Sequence, residues 1–265
     1  MYHLAGIAMS YRKIFSVVND CTASTVIARY AISVAAACKA DLVLYAACDE
    51  KDTETSRHAT VGHLDHLTTV ATEMQIPVTR IIEEGSIGMV LPKRVTTEQA
   101  DMVFYPHTSA IQHTVRQLIR STLPDLAIMR AITMAKPHPK HILVPLGKVI
   151  SNAARHLLFV STLAISYSAR VTLYHLSESG DAEVVPNSIH QFGKQLRELG
   201  VTVQERSGSG HFGRAVTMEA IVHHNDLIIV GASERGLLRR IFFGNPAAAV
   251  LLHPPCNTIL FRPAR

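Results

Sequence analysis

Tryptophan is absent from this 265-residue chain, aromatic residues make up 6% of it, and cysteine occurs four times. Cys21, Cys38, Cys48 and Cys256 form no C-x-x-C pair and no metal-ligand spacing, which argues against a disulfide framework and leaves buried, reduced thiols as the expectation. No apolar run approaches the ~20 residues that span a bilayer. Met1 to Lys13 shows no basic segment leading into a long apolar core, so no secretion signal is read there. The formal charge is +5, yet there is no run of five basic residues and no basic stripe interleaved with aromatics. These absences predict a cytoplasmic protein that engages neither membrane nor nucleic acid. Catalytic signatures are missing as well: there is no G-x-S-x-G elbow, no H-E-x-x-H and no Walker A lysine, and no Cys-His pair is assignable from spacing. The expectation is a protein that is not an enzyme.

What is present is a folded composition, 48% hydrophobic and 18% charged, arranged as a repeat with a period of roughly 128 residues. Lys13–Val18 and His141–Leu146 are apolar strand openings, followed by Ala-rich helical patterns over Ser24–Lys39 and Asn152–Tyr167. Second strands are expected at Asp41–Tyr45 and Arg170–Tyr174, and second helices at His58–Gln75 and Pro186–Leu199. Third strands follow at Val78–Ile82 and Val201–Glu205, then helices at Ile87–Glu98 and Arg214–His223. Fourth strands align as Ala100–Tyr105 and Asn225–Val230, and the last as Leu126–Met129 and Thr258–Phe261. Each copy thus reads β-α-β-α-β-α-β-α-β, with five apolar strands buried on both faces of a parallel, doubly wound sheet. Thr133-Met-Ala-Lys-Pro-His-Pro139, with two prolines, reads as the linker. The domains are therefore expected at 1–134 and 139–265.

The segment with the most chemistry is Gly231-Ala-Ser-Glu-Arg-Gly-Leu-Leu-Arg-Arg-Ile-Phe-Phe-Gly-Asn245, between a strand pattern and a helix start at Asn245-Pro246. Strand, glycine-containing loop and helix N-terminus, in that order, make an anion-binding turn. It resembles the phosphate-binding loop of the universal stress protein family, G-x2-G-x9-G-[ST], but reads G-x2-E-x9-G-N, with Glu234 and Asn245 at the two departing positions. The openings Ile14-Phe-Ser-Val-Val18 and Ile142-Leu-Val-Pro145, the element order and the ending Pro255-Cys-Asn-Thr-Ile-Leu260 extend the resemblance to tandem members of that family over nearly the whole chain. The resemblance implies two five-stranded parallel sheets in the order 3-2-1-4-5, with ligand held between strands one and four. It also implies that the last strand often pairs with a counterpart from another domain, which here lets the two final strands meet inside one chain; a homodimer is left open.

In ATP-binding members an acidic residue ends strand one, the glycine loop holds the phosphates, and backbone near the end of strand two faces the adenine. Carried onto the second copy, this makes Pro145, Leu146, Gly147, Gly231, Ser233, Arg235, Gly244 and Asn245 the candidate nucleotide site. The acidic position falls on Gly147, so a hydrogen bond to a charged group, worth roughly 1.5–3 kcal/mol, is lost. Glu234 opposes a phosphate by ~1–4 kcal/mol at about 4 Å, while Arg235, Arg239 and Arg240 act the other way. Gly231 offers close backbone approach or a positive φ. The first copy keeps Asn19-Asp20 at its strand-one end but has no glycine from Pro106 to Ala131, which predicts a non-binding half.

Gly208-Ser-Gly-His-Phe-Gly213 matches G-x-G-x-x-G, but it follows the third strand rather than the first, which argues against a dinucleotide. Of the fifteen histidines, His63 and His66 share a helix face, yet two local ligands do not make a zinc site, and no metal is assigned. The leading reading is a non-catalytic tandem universal stress-type protein. It would bind ATP or another adenine nucleotide through its second half and act in stress response through an unidentified protein partner. The alternative is a ligand-free structural or regulatory interaction module.

Overall fold

A computed structural model describes residues 10–107, 113–132, 138–147, 149–177, 185–231 and 254–264. The chain divides into two compact units, one built of Tyr11–Thr133 with Arg262–Arg265 and the other built mainly of Met134–Phe261. Both are α/β with parallel sheets, and seven helices fall among the described residues.

The first module runs β1 (Lys13–Val17), α1 (Thr22–Cys38), β2 (Asp41–Cys48), α2 (Glu54–Glu73), β3 (Val78–Glu84), α3 (Ile87–Thr97), β4 (Met102–Pro106), α4 (His113–Ser121) and β5 (Asp125–Arg130). β1 pairs in parallel with β2 and β4, β2 with β3, and β4 with β5, so the strands lie side by side as β3-β2-β1-β4-β5. The second runs β6 (His141–Leu146), α5 (Ala153–Tyr167), β7 (Arg170–Ser177), α6 (Asn187–Glu198), β8 (Val203–Ser209), α7 (Phe212–Val222), β9 (Leu227–Gly231) and β10 (Asn257–Arg262). Its parallel pairings give β8-β7-β6-β9-β10.

Apolar runs such as Ile14-Phe15 and Ile142-Leu143 are fully buried because each central strand is covered on both faces. The third strands depart from the expected pattern. β3 and β8 pair with one neighbour each, and roughly alternate residues along them reach solvent, so Thr79, Arg80, Glu84 and Gln204 are exposed. Outer strands need cover on fewer sides, and charged residues there discourage further pairing.

The two modules repeat one brace. Asp101 Oδ2 accepts from the amides of Arg12 at 2.7 Å and Lys13 at 3.0 Å. Asp226 Oδ2 accepts from those of Lys140 at 2.9 Å and His141 at 3.1 Å. In each case a carboxylate at the start of the fourth strand holds the start of the first strand, satisfying two backbone donors. An ion pair also ties the third strand to the third helix in each module, with opposite polarity and with the strand partners two residues apart in register. In the first module Arg94 Nε on α3 meets Glu83 Oε2 on β3 at 3.1 Å. In the second, Arg206 Nε on β8 meets Glu219 Oε1 on α7 at 2.8 Å, at ion-pair distance without hydrogen-bond alignment.

The chain's last described residues belong with the first module. Arg262, 2% exposed, donates through Nη2 to the carbonyls of Thr122 at 2.6 Å and Pro124 at 2.8 Å. Asp125, fully buried, accepts from the Ala264 amide at 2.6 Å and from the Tyr11 hydroxyl at 2.7 Å.

Candidate functional site

In the second module the order of the sheet reverses between β6 and β9, and their carboxyl ends form the crevice where open α/β sheets hold ligands. Pro145 and Leu146 close β6 and are buried, while Gly147 follows in solvent. Among the described residues a Cβ on Gly147 would find only the Val149 carbonyl, at 3.9 Å, and the backbone there is not in the left-handed region. Neither these contacts nor φ requires glycine at this position.

Gly231 ends β9 opposite Phe261 of β10. It was expected to serve a ligand's approach or a positive φ. The φ is not positive, and the space beside it is taken: a Cβ would lie 2.6 Å from His156 Nε2. His156 sits in the first turns of α5, 5% exposed, with Nδ1 3.4 Å from the Asn152 carbonyl. Its ring meets Phe261 edge-on at 5.0 Å, and Phe261 stacks on Phe159 one turn further along α5 at 4.2 Å. Each aromatic contact adds about 0.5–1.5 kcal/mol beyond burial. The ring is therefore fixed against the strand that leads into the loop.

A second imidazole lies nearby in the sheet. His175 on β7 pairs in register with Leu146 and is 1% exposed. Its Nδ1 is 3.3 Å from the Leu146 carbonyl, and its Nε2 is buried with no hydrogen-bond partner among the described residues. A buried nitrogen left without a partner forfeits about 1–3 kcal/mol. Sequence reasoning missed both histidines. The available signals were one titratable residue in the Ala- and Leu-rich face of α5 and another inside the apolar run of β7.

Ser233, Arg235, Gly244 and Asn245, with Glu234, Arg239, Arg240 and Pro246, lie outside the described residues. The structure thus brings together Pro145, Leu146 and Gly147 at the end of β6, across from Gly231 at the end of β9.

The first module's matching crevice is built differently. Asn19 Oδ1 accepts from the Cys21 amide at 3.1 Å, and the Asn19 amide and carbonyl bracket Ser24 Oγ at 3.2 and 3.0 Å. Asp20 accepts from Ser56 Oγ on α2 at 2.8 Å. The polar groups that sequence offered there are thus used inside the module. Where the second module pairs Gly231 with His156, the first carries Pro106 at the end of β4 and the fully buried Ile27 on α1. His107 follows, its amide donating to the Met129 carbonyl at 2.8 Å. Burial, helped by Arg130, lowers its pKa to about 4, so the ring is neutral at physiological pH. Residues 108–112 lie outside the described set.

Gly208 and Ser209 belong to β8, not to a turn, which corrects the loop reading of the G-x-G-x-x-G segment. A Cβ at Gly208 would meet the Tyr174 hydroxyl at 2.0 Å, so that glycine makes room for a tyrosine. His63 and His66 turn to separate partners: His63 Nδ1 lies 2.8 Å from the Asn19 carbonyl, and His66 Nε2 lies 3.3 Å from Arg29 Nη2. Among the described residues no three His, Cys, Asp or Glu side chains are placed to share a metal, and no helix is long and apolar enough to cross a membrane. Cys48 and Cys256 are buried, while Cys21 and Cys38 are partly exposed, against the expectation of four buried thiols. Burial pushes the Cys256 thiol up to about 12.

Comparison with known proteins places this geometry in context. The model of the universal stress protein family matches residues 138–262. A universal stress protein from Archaeoglobus fulgidus DSM 4304 superposes with a TM-score of 0.66 at 13% identity, over 96% of this chain and 98% of that one. A functionally unknown protein from Pseudomonas aeruginosa PAO1 gives 0.66 at 15% identity, over 96% and 93%. The cytoplasmic domain of a prokaryotic cation chloride cotransporter gives 0.68 at 12% identity, over 96% and 95%. At such identities the likeness is one of fold alone. No curated protein matches the sequence significantly.

Proposed function

We propose, from the match of residues 138–262 to the universal stress protein family, that this chain is a tandem, non-catalytic stress-response protein that binds an adenine nucleotide in its second module. The observation that carries the reading is the crevice between β6 and β9. An exposed Gly147 stands at its rim, with no side chain among the described residues filling the space beside it. His175 Nε2 is buried nearby with no hydrogen-bond partner among the described residues. The family resemblance supplies the ligand class: ATP-binding members hold the nucleotide at this place in the fold, with phosphates on the loop that follows β9. Action would pass through a protein partner, because no catalytic signature was found in the sequence.

One observation favours the ligand-free alternative. His156 already occupies the space that Gly231 leaves open, so that glycine has a packing reason independent of any ligand.

Thermal melting of the full chain separates the two. At a concentration 100 times its dissociation constant a nucleotide adds ~2.7 kcal/mol of stability, a shift of several degrees. ATP, AMP or cyclic AMP should raise the midpoint, and Gly244→Leu should abolish the shift. An unmoved midpoint at millimolar concentrations of all three overturns nucleotide binding. Phosphate release from ATP above background, lost in the same variant, overturns the non-catalytic reading. Replacing Gly147→Asp restores the carboxylate at the end of strand one and is expected to tighten ATP about tenfold or more.

A further inference from the structure

Away from the crevice, one corner of the second module differs from its counterpart in a way the shared scaffold does not require. The strand registers fix the correspondence: Lys13 pairs with Asp41 at the amino end of β1 and β2, and His141 pairs with Arg170 at the amino end of β6 and β7. α3 ends at Glu98 and a left-handed Gln99, while α7 ends at His223 and a left-handed His224.

In the first module this corner is neutral and polar. Lys13 Nζ meets Glu98 Oε2 at 3.1 Å, Asp41 adds a carboxylate, and the outer face of α3 carries Lys93, Thr96 and Thr97. In the second, the same places hold His141, His223 and Arg170, and the outer face of α7 carries Met218, Ile221 and Val222. These three are 50%, 50% and 57% exposed, at the i, i+3, i+4 spacing of a single helical stripe. Arg170 Nη2 lies 3.3 Å from His141 Nδ1, which lies 3.2 Å from the His224 carbonyl, so the basic group adjoins the end of the stripe. Of the two carboxylates on α7 and the turn after it, Glu219 meets Arg206 through Oε1 and lies 3.7 Å from His223 Nε2 through Oε2, while Asp226 accepts from backbone amides, so the corner's basic groups are Arg170 and His141.

We propose that this corner is a docking surface for an acidic amphipathic helix of a partner protein. The partner's apolar side lies along Met218, Ile221 and Val222, and its carboxylates meet Arg170 and His141. Charge complementarity selects this occupant. A second copy of the chain meeting the patch about a two-fold axis would bring Arg170 and His141 against themselves. An anionic membrane asks for a cluster of lysines and arginines around a broad apolar face, and three side chains beside one arginine fall short of it.

The test uses the full chain and a fluorescein-labelled helical peptide of about 18 residues, with leucine along one face and glutamate flanking it. Two variants serve. Met218→Lys/Ile221→Thr/Val222→Thr installs the residues that the first module carries at the same exposed positions, and Arg170→Asp installs the first module's acidic residue. The peptide should bind at micromolar concentration, each variant should weaken it about tenfold, and a peptide with lysine for glutamate should not bind. Absence of binding up to about 1 mM, or binding by both variants as tight as that of the unaltered chain, overturns the proposal. So does cosedimentation with phosphatidylserine-rich vesicles that the triple variant abolishes, since lipid is then the occupant. Sedimentation showing a dimer that the triple variant dissolves overturns it in favour of self-association.

Discussion

The His156 imidazole stands where a side chain at residue 231 would have to go, 2.6 Å from that position. Gly231→Ala should therefore overpack the α5–β9 contact and cost about 1–3 kcal/mol. Adding His156→Ala removes the obstruction, and the pair should recover much of the loss. Urea melts of the four proteins measure the coupling; an equal cost of Gly231→Ala in both backgrounds would sink the packing account. His107 offers a second residue-level expectation. Its folded pKa, about 4, lies below the unfolded value near 6.5, so the unfolded chain takes up a proton first as pH falls. The stability it contributes is intact above pH 6.5 and is lost on the way down to about 4. His107→Gln should flatten that part of the wild-type profile by roughly 1–2 kcal/mol; parallel profiles would contradict it. Neither histidine could be read from sequence for its role, because each is defined by residues distant along the chain. His156 lay in a legible helix, but its partner is the glycine at the end of a strand five elements later.

At the level of elements, several helices close through residues in the left-handed region that are not glycine. Lys39 ends α1 at φ 53° and Ser168 ends α5 at φ 49°, both exposed, with their amides bonded back into the last turn. Such a conformation costs a side-chain-bearing residue about 1–2 kcal/mol, part of which glycine returns as extra freedom in the unfolded chain. Lys39→Gly and Ser168→Gly should each raise stability by about 0.5–1 kcal/mol in chemical melts. A lowered midpoint would mean that the lysine or serine side chain contributes more than the backbone strain. The exchanged ion pairs make a sharper case. Arg206→Glu alone sets two carboxylates against one another beside Glu219, which is only 10% exposed, and should cost about 1–2 kcal/mol. Adding Glu219→Arg reproduces the polarity of Glu83 and Arg94 and should restore most of it. A double variant as unstable as the single one would show that polarity is bound to its module. Strand and helix positions were legible because their apolar periodicity is local. The outer strands β3 and β8 were misread as buried because five or seven residues of mixed character do not reveal how many neighbours a strand has. Gly208 was misread as a turn residue for the same reason, since the hydroxyl it accommodates comes from β7.

At the level of the whole chain, two copies of one scaffold have kept the same Asp101 and Asp226 braces while their crevices and outer faces diverged. The crevice of the second copy was legible from Gly147 and Gly231 as a place, but not as a chemistry, because its imidazoles come from α5 and β7. Divergence is also visible in how the chain ends. Arg262–Arg265 count with the first module although β10 otherwise pairs with β9 of the second. The buried Arg262 guanidinium satisfies the Thr122 and Pro124 carbonyls at the entry to β5, and the Ala264 amide shares Asp125 with Tyr11. Removing the tail takes a donor from each of those buried carbonyls and from the Asp125 carboxylate, at about 1–3 kcal/mol for each group left unpaired. Deleting Arg262–Arg265 should therefore weaken the first module selectively. Hydrogen exchange reads this directly: protection should fall in β1, β4 and β5 while β6, β7 and β9 keep theirs. Equal loss in both modules would mean that the tail supports the chain as a whole, and unchanged protection throughout would mean that Arg262 is buried without holding anything together.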